Sequence, residues 1–267
     1  MASERVKLST QATLAVITLD RPEARNALSP DMVADLGRAL QHCQRPDVRA
    51  VLITGTGNAF CSGADVKDFV QVLEEEGPDA LSEHLRRLAN MLHQEIILPI
   101  RQLEKLVVAA VNGVAAGAGF SLALACDLRL ASNNARFLMA YANIGATADG
   151  GSTYLLPRLV GLGKALEIYT ASQPLSAEYA NEIGLVNQVI PSANFERHSL
   201  EIATRLSQGP TAAYGNVKSL FNQSWDHTLE AHLKAEAETL SRMGLTRDFQ
   251  EGIRAFTQKR PPWFQGM

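Results

Sequence analysis

The chain is short of the residues that build most specialised sites. Its 267 residues include three cysteines, Cys43, Cys61 and Cys126, and no two are spaced as CxxC. An odd, scattered set argues against a disulfide framework or a structural zinc, and fits a reducing, cytoplasmic setting. The six histidines form no HxxxH or HExxH pair, and His227 and His232, five apart, are expected on different faces of a helix. No metal site is therefore expected. Neither sign of charge prevails: Lys+Arg 25 against Asp+Glu 28 leaves −3, which argues against nucleic acid as a main partner. MASERVKLST lacks a long apolar segment, so no secretory leader is read there.

The uncharged run from Leu106 to Cys126 is long enough to span a bilayer. Asn112-Gly113, Gly117, Gly119 and Ser121 interrupt it, so it reads as a buried strand running into a buried helix, and no membrane partner is expected.

What is present is an ordinary globular composition, 46% hydrophobic and 20% charged. LAVITLD (14–20), RAVLITG (49–55) and VVAAV (107–111) read as buried strands. DLRLA (127–131) and ARFLM (135–139) follow, joined by the turn-prone Ser132-Asn133-Asn134. Ser29-Pro30-Asp31 supplies an N-cap, a proline at the first helical position and an early acid. A helix is expected over much of 80–97, ended or bent by Pro99, and Glu74 to Pro78 reads as a solvated loop. After about residue 150 the signals are mostly helical: Ser176 capping a helix that Gly184 closes, one opening at Gly209-Pro210, then 226–243 and 246–258. The expected organisation is an α/β core over 1–200 and a helical region over 201–267.

Three glycine-containing turns follow apolar runs: Phe60 to Lys67, Asn112 to Gly119, and Gly145 to Thr153. Small residues let a ligand approach the main chain, and a helix start offers unpaired N–H donors. Singly, each turn is as well explained by tight packing. Leu122 breaks a dinucleotide fingerprint begun by Gly117-Ala118-Gly119, and Arg158 breaks a P-loop ending at Gly163-Lys164.

Taken together, the turns resemble the enoyl-CoA hydratase/isomerase (crotonase) superfamily. ITLDRPEARNALSPDM, FCSGADVKDF, AVNGVAAGAGFSLALACDLRLAS, DGGSTYLLPRLVG, SAEYANEIGLVNQVI and EGIRAFTQKRPPWF occur in the family's order across the chain. The resemblance implies a spiral of ββα units with a C-terminal helical region used for assembly into a trimer or a dimer of trimers. It implies an acyl-CoA thioester as substrate, coenzyme A arriving as part of it, with no tightly bound cofactor. Two backbone N–H groups, at Ala64 and Ala118, would hold the thioester oxygen as charge moves onto it. Arg25, Ala27, Ser62, Ala64, Asp65, Val66 and Lys67 match the region that receives the nucleotide end of CoA, and Phe256 and Lys259 match residues lent by a neighbouring subunit. The bland alternatives are an exposed arginine, an N-cap at Asp65 and ordinary C-terminal helix residues.

Hydratases of the crotonase type carry two glutamates, and those places here hold Ser121 and Tyr141. Asp149 is the remaining acid. Its setting, Gly145…Asp149-Gly150-Gly151-Ser152-Thr153-Tyr154-Leu155-Leu156-Pro157-Arg158…Gly161, resembles the epoxyphenylacetyl-CoA isomerase and enoyl-CoA isomerase subgroup. Dienoyl-CoA isomerases and the 4-chlorobenzoyl-CoA dehalogenase also place an aspartate here. The resemblance therefore implies double-bond migration with Asp149 as the proton shuttle, buried among Phe137, Met139 and Ile144. A single-carboxylate hydratase, hydrolase or dehalogenase, and a silent CoA-ester-binding protein, are the rival readings. Asp149 as a helix N-cap is the structural alternative, and His93 is expected to be a surface or half-buried histidine. The acyl pocket is expected along the 70–100 segment.

Overall fold

The protein is described by a computed structural model covering residues 5–267. Among these residues ten strands form two sheets. The larger runs β1 (Val6–Gln11), β2 (Leu14–Leu19), β3 (Ala50–Gly55), β5 (Leu106–Val111), β7 (Leu128–Ser132) and β10 (Gln188–Ile190), in that spatial order. The smaller holds β4 (Ala59–Cys61), β6 (Val114–Ala116), β8 (Arg136–Leu138) and β9 (Leu175–Ser176). Only β1/β2 and β8/β9 are antiparallel. Three times the chain lays a strand in the large sheet, then a short one in the small sheet, then turns into helix: β3–β4, β5–β6 and β7–β8. This is the expected ββα spiral. The segments at 127–131 and 135–139 therefore enter different sheets.

Period-two alternation explains why the central strands read as continuous apolar runs. Ala15, Ile17, Val51, Ile53, Val107 and Ala109 face one core. Leu14, Ala50, Leu52, Val108, Ala110 and Leu130 face another. Parallel sheets covered on both faces need this pattern. The first core is closed by α1 (Pro30–His42), through Met32, Val33 and Leu36, and by α5 (Ala118–Ala125). The second is closed by α9 (Phe195–Ser207), through Phe195 and Ala203. That helix runs across position 200 and lies on the sheet. Each large side chain buried this way contributes roughly 1.5–3 kcal/mol. Ser29 caps α1 as expected, its Oγ accepting from Met32 N.

Between β4 and β5 lie α2 (Val66–Glu76), α3 (Pro78–Leu92), a π-helical turn (His93–Ile97) and α4 (Leu98–Gln102). The stretch read as a solvated loop at Glu74 to Pro78 is helix on both sides of one residue, Gly77. Glutamate is a good helix former, and Pro78 is well placed at a first helical position. Nor does Pro99 end the helix. The π turn pairs Leu98 N–H with His93 O, five residues back, and the wider ladder admits a residue that has no N–H.

Helices α6 (Ser152–Val160), α7 (Leu162–Ala171) and α8 (Ala177–Glu182) complete the core, and α10 (Thr211–Gln223), α11 (Leu229–Met243) and α12 (Arg247–Thr257) follow. His227 precedes α11 instead of riding on it, and its ring lies 5.8 Å from that of His232. Asp248, buried at the start of α12, accepts from Gln265 N and Gly266 N and folds the C-terminal tail back. The stretch from Leu106 to Cys126 is β5, β6 and α5, and no helix among the described residues is long and apolar enough to cross a membrane.

Candidate active site

Two of the three turns leave adjacent parallel strands. β4 pairs with β6, Cys61 opposite Ala115, and the chain then turns at Gly63 and Gly117. Gly63 has φ +96, and a Cβ there would lie 2.8 Å from Ala116 O and 3.2 Å from Ala118 N. The turns are thus packed main chain on main chain, which brings Ala64 and Ala118 side by side. Ala118 is the first residue of α5, so its N–H has no acceptor within the helix. Among the described residues the Ala64 N–H likewise donates to no protein acceptor.

The Arg25–Leu28 segment is bolted to the first turn. Ser62 N–H donates to Arg25 O at 3.0 Å, Leu28 N–H donates to Gly63 O at 2.8 Å, and Leu28 forms a parallel bridge with Ala64. Arg25 and Asn26 hold the left-handed conformation, φ +51 and +57. Asn26 fixes that shape: it is fully buried, its Nδ2 donates to Ala59 O at 2.8 Å and its Oδ1 accepts from Arg21 N at 2.8 Å. Sequence reading passed over Asn26, although asparagine's tolerance of positive φ is the signal that could have found it. Arg25, Ala27, Ser62, Ala64, Asp65, Val66 and Lys67 therefore form one cluster. Arg25, Val66 and Lys67 are exposed, and Ala27 is buried. Asp65 does not cap α2; its carboxylate faces Arg21 Nη2 at 3.4 Å. Phe256 and Lys259, at the end of α12, are exposed, and no hydrogen bond or ion pair joins them to this cluster among the described residues.

The third turn sits on α5. Ser121, one helical turn after Ala118 and fully buried, donates through Oγ to Asp149 O at 2.9 Å. Gly150, at φ +60, lies so close that a Cβ would be 2.6 Å from Ser121 Cβ. Asp149 does not cap α6, which starts at Ser152 behind Gly150 and Gly151. Instead Asp149 Oδ1 accepts from Tyr141 Oη at 2.5 Å, and Tyr141 Oη is 3.0 Å from Ser121 Oγ. Burial and the neighbouring Asp149 charge push the Tyr141 phenol well above its usual range, so it stays protonated and acts as a donor. His93 is half-buried, and its Nε2 accepts from Gly150 N at 3.1 Å.

The expected apolar surroundings of Asp149 are realised in part. Phe137 and Met139 are buried, Phe137 against Phe120 of α5, but Ile144 is 58% exposed. It ends a 3₁₀ turn, Ala140–Ile144, whose tight geometry turns Ile144 outward while Tyr141 turns in. An apolar cleft of about 310 Å³, lined by Met139, Thr147, Ala148, Leu156 and Tyr169, flanks the Asp149 loop. A second hollow of about 450 Å³ runs along α3 between Glu83 and Glu95.

The family model for enoyl-CoA hydratase/isomerase matches residues 9–267. A "probable enoyl-CoA hydratase" of Rhodobacter capsulatus is 38% identical over 266 residues, 100% of both chains. The 1,2-epoxyphenylacetyl-CoA isomerase of Escherichia coli is 35% identical over 94% of both chains. The crystal structure of an enoyl-CoA hydratase from a Polaromonas species superposes with a TM-score of 0.90 at 35% identity, covering 97% of this chain and 99% of that one. Agreement along the whole length, in sequence and in fold, leaves one assignment: the chain belongs to the enoyl-CoA hydratase/isomerase, or crotonase, family.

Proposed function

We propose that this enzyme is an acyl-CoA isomerase that moves an enoyl double bond, or carries out a related ring-CoA rearrangement, with Asp149 as its proton shuttle. The observation that carries the proposal is the convergence of Ser121, Tyr141 and Asp149 on one point with a single carboxylate among them. Addition of water by two glutamates has no counterpart here. One carboxylate suffices for isomerisation: Asp149 removes a proton from one carbon of the acyl chain and returns it two carbons away. The resulting dienolate oxygen is held by the N–H groups of Ala64 and Ala118, each such donor being worth about 10²–10³ in rate. The Arg25–Lys67 cluster receives the CoA portion, and no tightly bound cofactor is needed. Exposed apolar residues on the C-terminal helices, among them Leu229, Leu233, Leu240 and Phe256, support self-association into a trimer or a dimer of trimers.

The second reading, a single-carboxylate hydratase or hydrolase, is favoured by the hydratase names of several relatives. Incubation with 2-enoyl-CoA and 3-enoyl-CoA esters in heavy-oxygen water, followed by mass spectrometry, separates the two. Interconversion without label, abolished in Asp149→Asn, is expected. Uptake of one labelled oxygen would refute the isomerase and favour hydration or hydrolysis.

A further inference from the structure

We propose that Tyr141 is the positioning residue of this active site, holding Asp149 Oδ1 so that Oδ2 alone is presented to the acyl chain. The inference rests on the reading of Asp149 as the proton shuttle. It reinterprets the two positions whose lost acids argue against water addition: they hold a hydroxyl pair that orients the acid that remains.

Proton accounting fixes the direction of each bond. An ionised carboxylate only accepts, so the 2.5 Å contact is donated by Tyr141 Oη, which has one proton to give. Ser121 also has one proton. Its Oγ lies 2.9 Å from Asp149 O, 3.0 Å from Tyr141 Oη and 3.3 Å from Gly117 O, so its proton goes to a main-chain carbonyl or to the phenol oxygen. Where Ser121 donates to a carbonyl, its Oγ competes for the phenol proton at 3.0 Å, but the charged carboxylate at 2.5 Å is the nearer and stronger acceptor.

The backbone beside the carboxylate is fixed from several directions. Asp149 O also accepts from Ser152 N at 3.1 Å and Ser152 Oγ at 2.8 Å, and Gly150 N–H donates to His93 Nε2. With the main chain held, the torsions of Asp149 are the remaining freedom, and the bond from Tyr141 removes it. This matters because the same carboxylate must take a proton at one carbon and return it at another without turning away.

Three titratable side chains bear on the Asp149 loop: Tyr141 on the carboxylate, His93 on the Gly150 N–H, and Tyr169, whose Oη donates to Ala146 O at 2.9 Å, three residues from Asp149. The test is therefore Tyr141→Phe, alone and in a His93→Gln background, with Asp149→Asn and thermal unfolding alongside. A hydrogen bond to a charged group is worth about 1.5–3 kcal/mol. Loss of the phenol oxygen is expected to lower kcat about tenfold or more, with KM changed by less than about threefold. The loss should be the same in both backgrounds, with little change in Tm. A tyrosine that merely packs would alter Tm without this split between kcat and KM. Wild-type kcat in Tyr141→Phe, with Asp149→Asn inactive, would overturn this inference and leave the proposed function standing. Full turnover by Asp149→Asn would overturn both.

Discussion

Replacing Gly119 by alanine tests whether the two N–H donors are kept in register by close packing. A Cβ at that position would lie 2.1 Å from Cys61 O, 2.6 Å from Cys61 C and 2.7 Å from Cys61 Cβ. Ordinary contact begins at 3.4 Å, so the start of α5 must retreat from β4 by about 1.3 Å (3.4 − 2.1). Neither side has room to yield: Cys61 is fully buried and pairs with Ala115, and Phe120 is fully buried on α5. Overpacking of this kind costs about 1–3 kcal/mol, or a Tm lower by about 2–12 °C at this chain length. Ala118 immediately precedes Gly119 and moves with it. A useful donor must lie about 2.7–3.1 Å from the developing oxyanion, and a shift of about 1 Å can cost about 10²-fold in rate. Gly119→Ala should therefore lose about 10² in kcat as well as stability, measured by thermal unfolding and by turnover of the enoyl-CoA ester that the wild type accepts. Gly163→Ala, on α7 with no atom within 4 Å of the new Cβ, is the control and should leave both unchanged or raise Tm slightly. Wild-type Tm and kcat in Gly119→Ala would refute the packing argument. A lower Tm with unchanged kcat would refute its link to catalysis.

Lys218 is buried, with Nζ donating to Ile100 O at 2.7 Å and to Asp127 Oδ2 at 2.8 Å. Lys218→Met should cost less than the roughly 3–5 kcal/mol of a fully broken buried pair, because Asp127 loses its nearer cation but keeps Arg101 at 3.5 Å and the Val107 N–H. In denaturant unfolding, Lys218→Met with Asp127→Asn should cost less than the sum of the single variants. Burial pushes the Cys43 thiol up to about 11 and those of Cys61 and Cys126 up to about 12. A thiol-reactive chromophore at pH 8 should therefore label the native protein only slowly and all three cysteines once it is unfolded. The Glu251 carboxyl is lowered from 4.5 to about 2 by Arg260, helped by Trp263 N–H. Its contribution is thus complete above pH 4.5 and lost as pH falls towards 2. Trp263 emission in a Trp225→Phe background should report the tail loosening in that window, and a flat signal would count against it.

Much of the fold was legible because the central strands carry the apolar runs that a doubly covered sheet requires. The strands that escaped were β4, β6, β9 and β10, of two or three residues each, too short for any period to register. β1 escaped for another reason: it is an edge strand, VKLSTQ, largely exposed and mostly polar. In the site, the backbone turns were readable because glycines mark them. Tyr141 was not: its position was judged by the acid it lacks, and its bond to Asp149 depends on a 3₁₀ turn that points it inward. Ile144 shows the same limit in reverse, since an apolar residue in an apolar neighbourhood was expected inside and is exposed.

The π turn at His93–Ile97 acts as a phase shifter between α3 and α4. An unbroken α-helix locks the angular positions of all its side chains, whereas one extra residue in a turn advances them by about 100°. Here that advance lets His93 reach Gly150 while Ile96, Ile97 and Ile100 stay buried. Glu95, carried round by the same turn, lies against Gly37 of α1, where a Cβ would be 3.2 Å from its own. Loss of one residue from this turn would undo the offset and swing the whole of α3 to a new heading over the site. The segment expected to shape the acyl end is therefore geared to the core through this turn at one end and through the Ala64–Lys67 turn at the other, so its aim depends on the register of both.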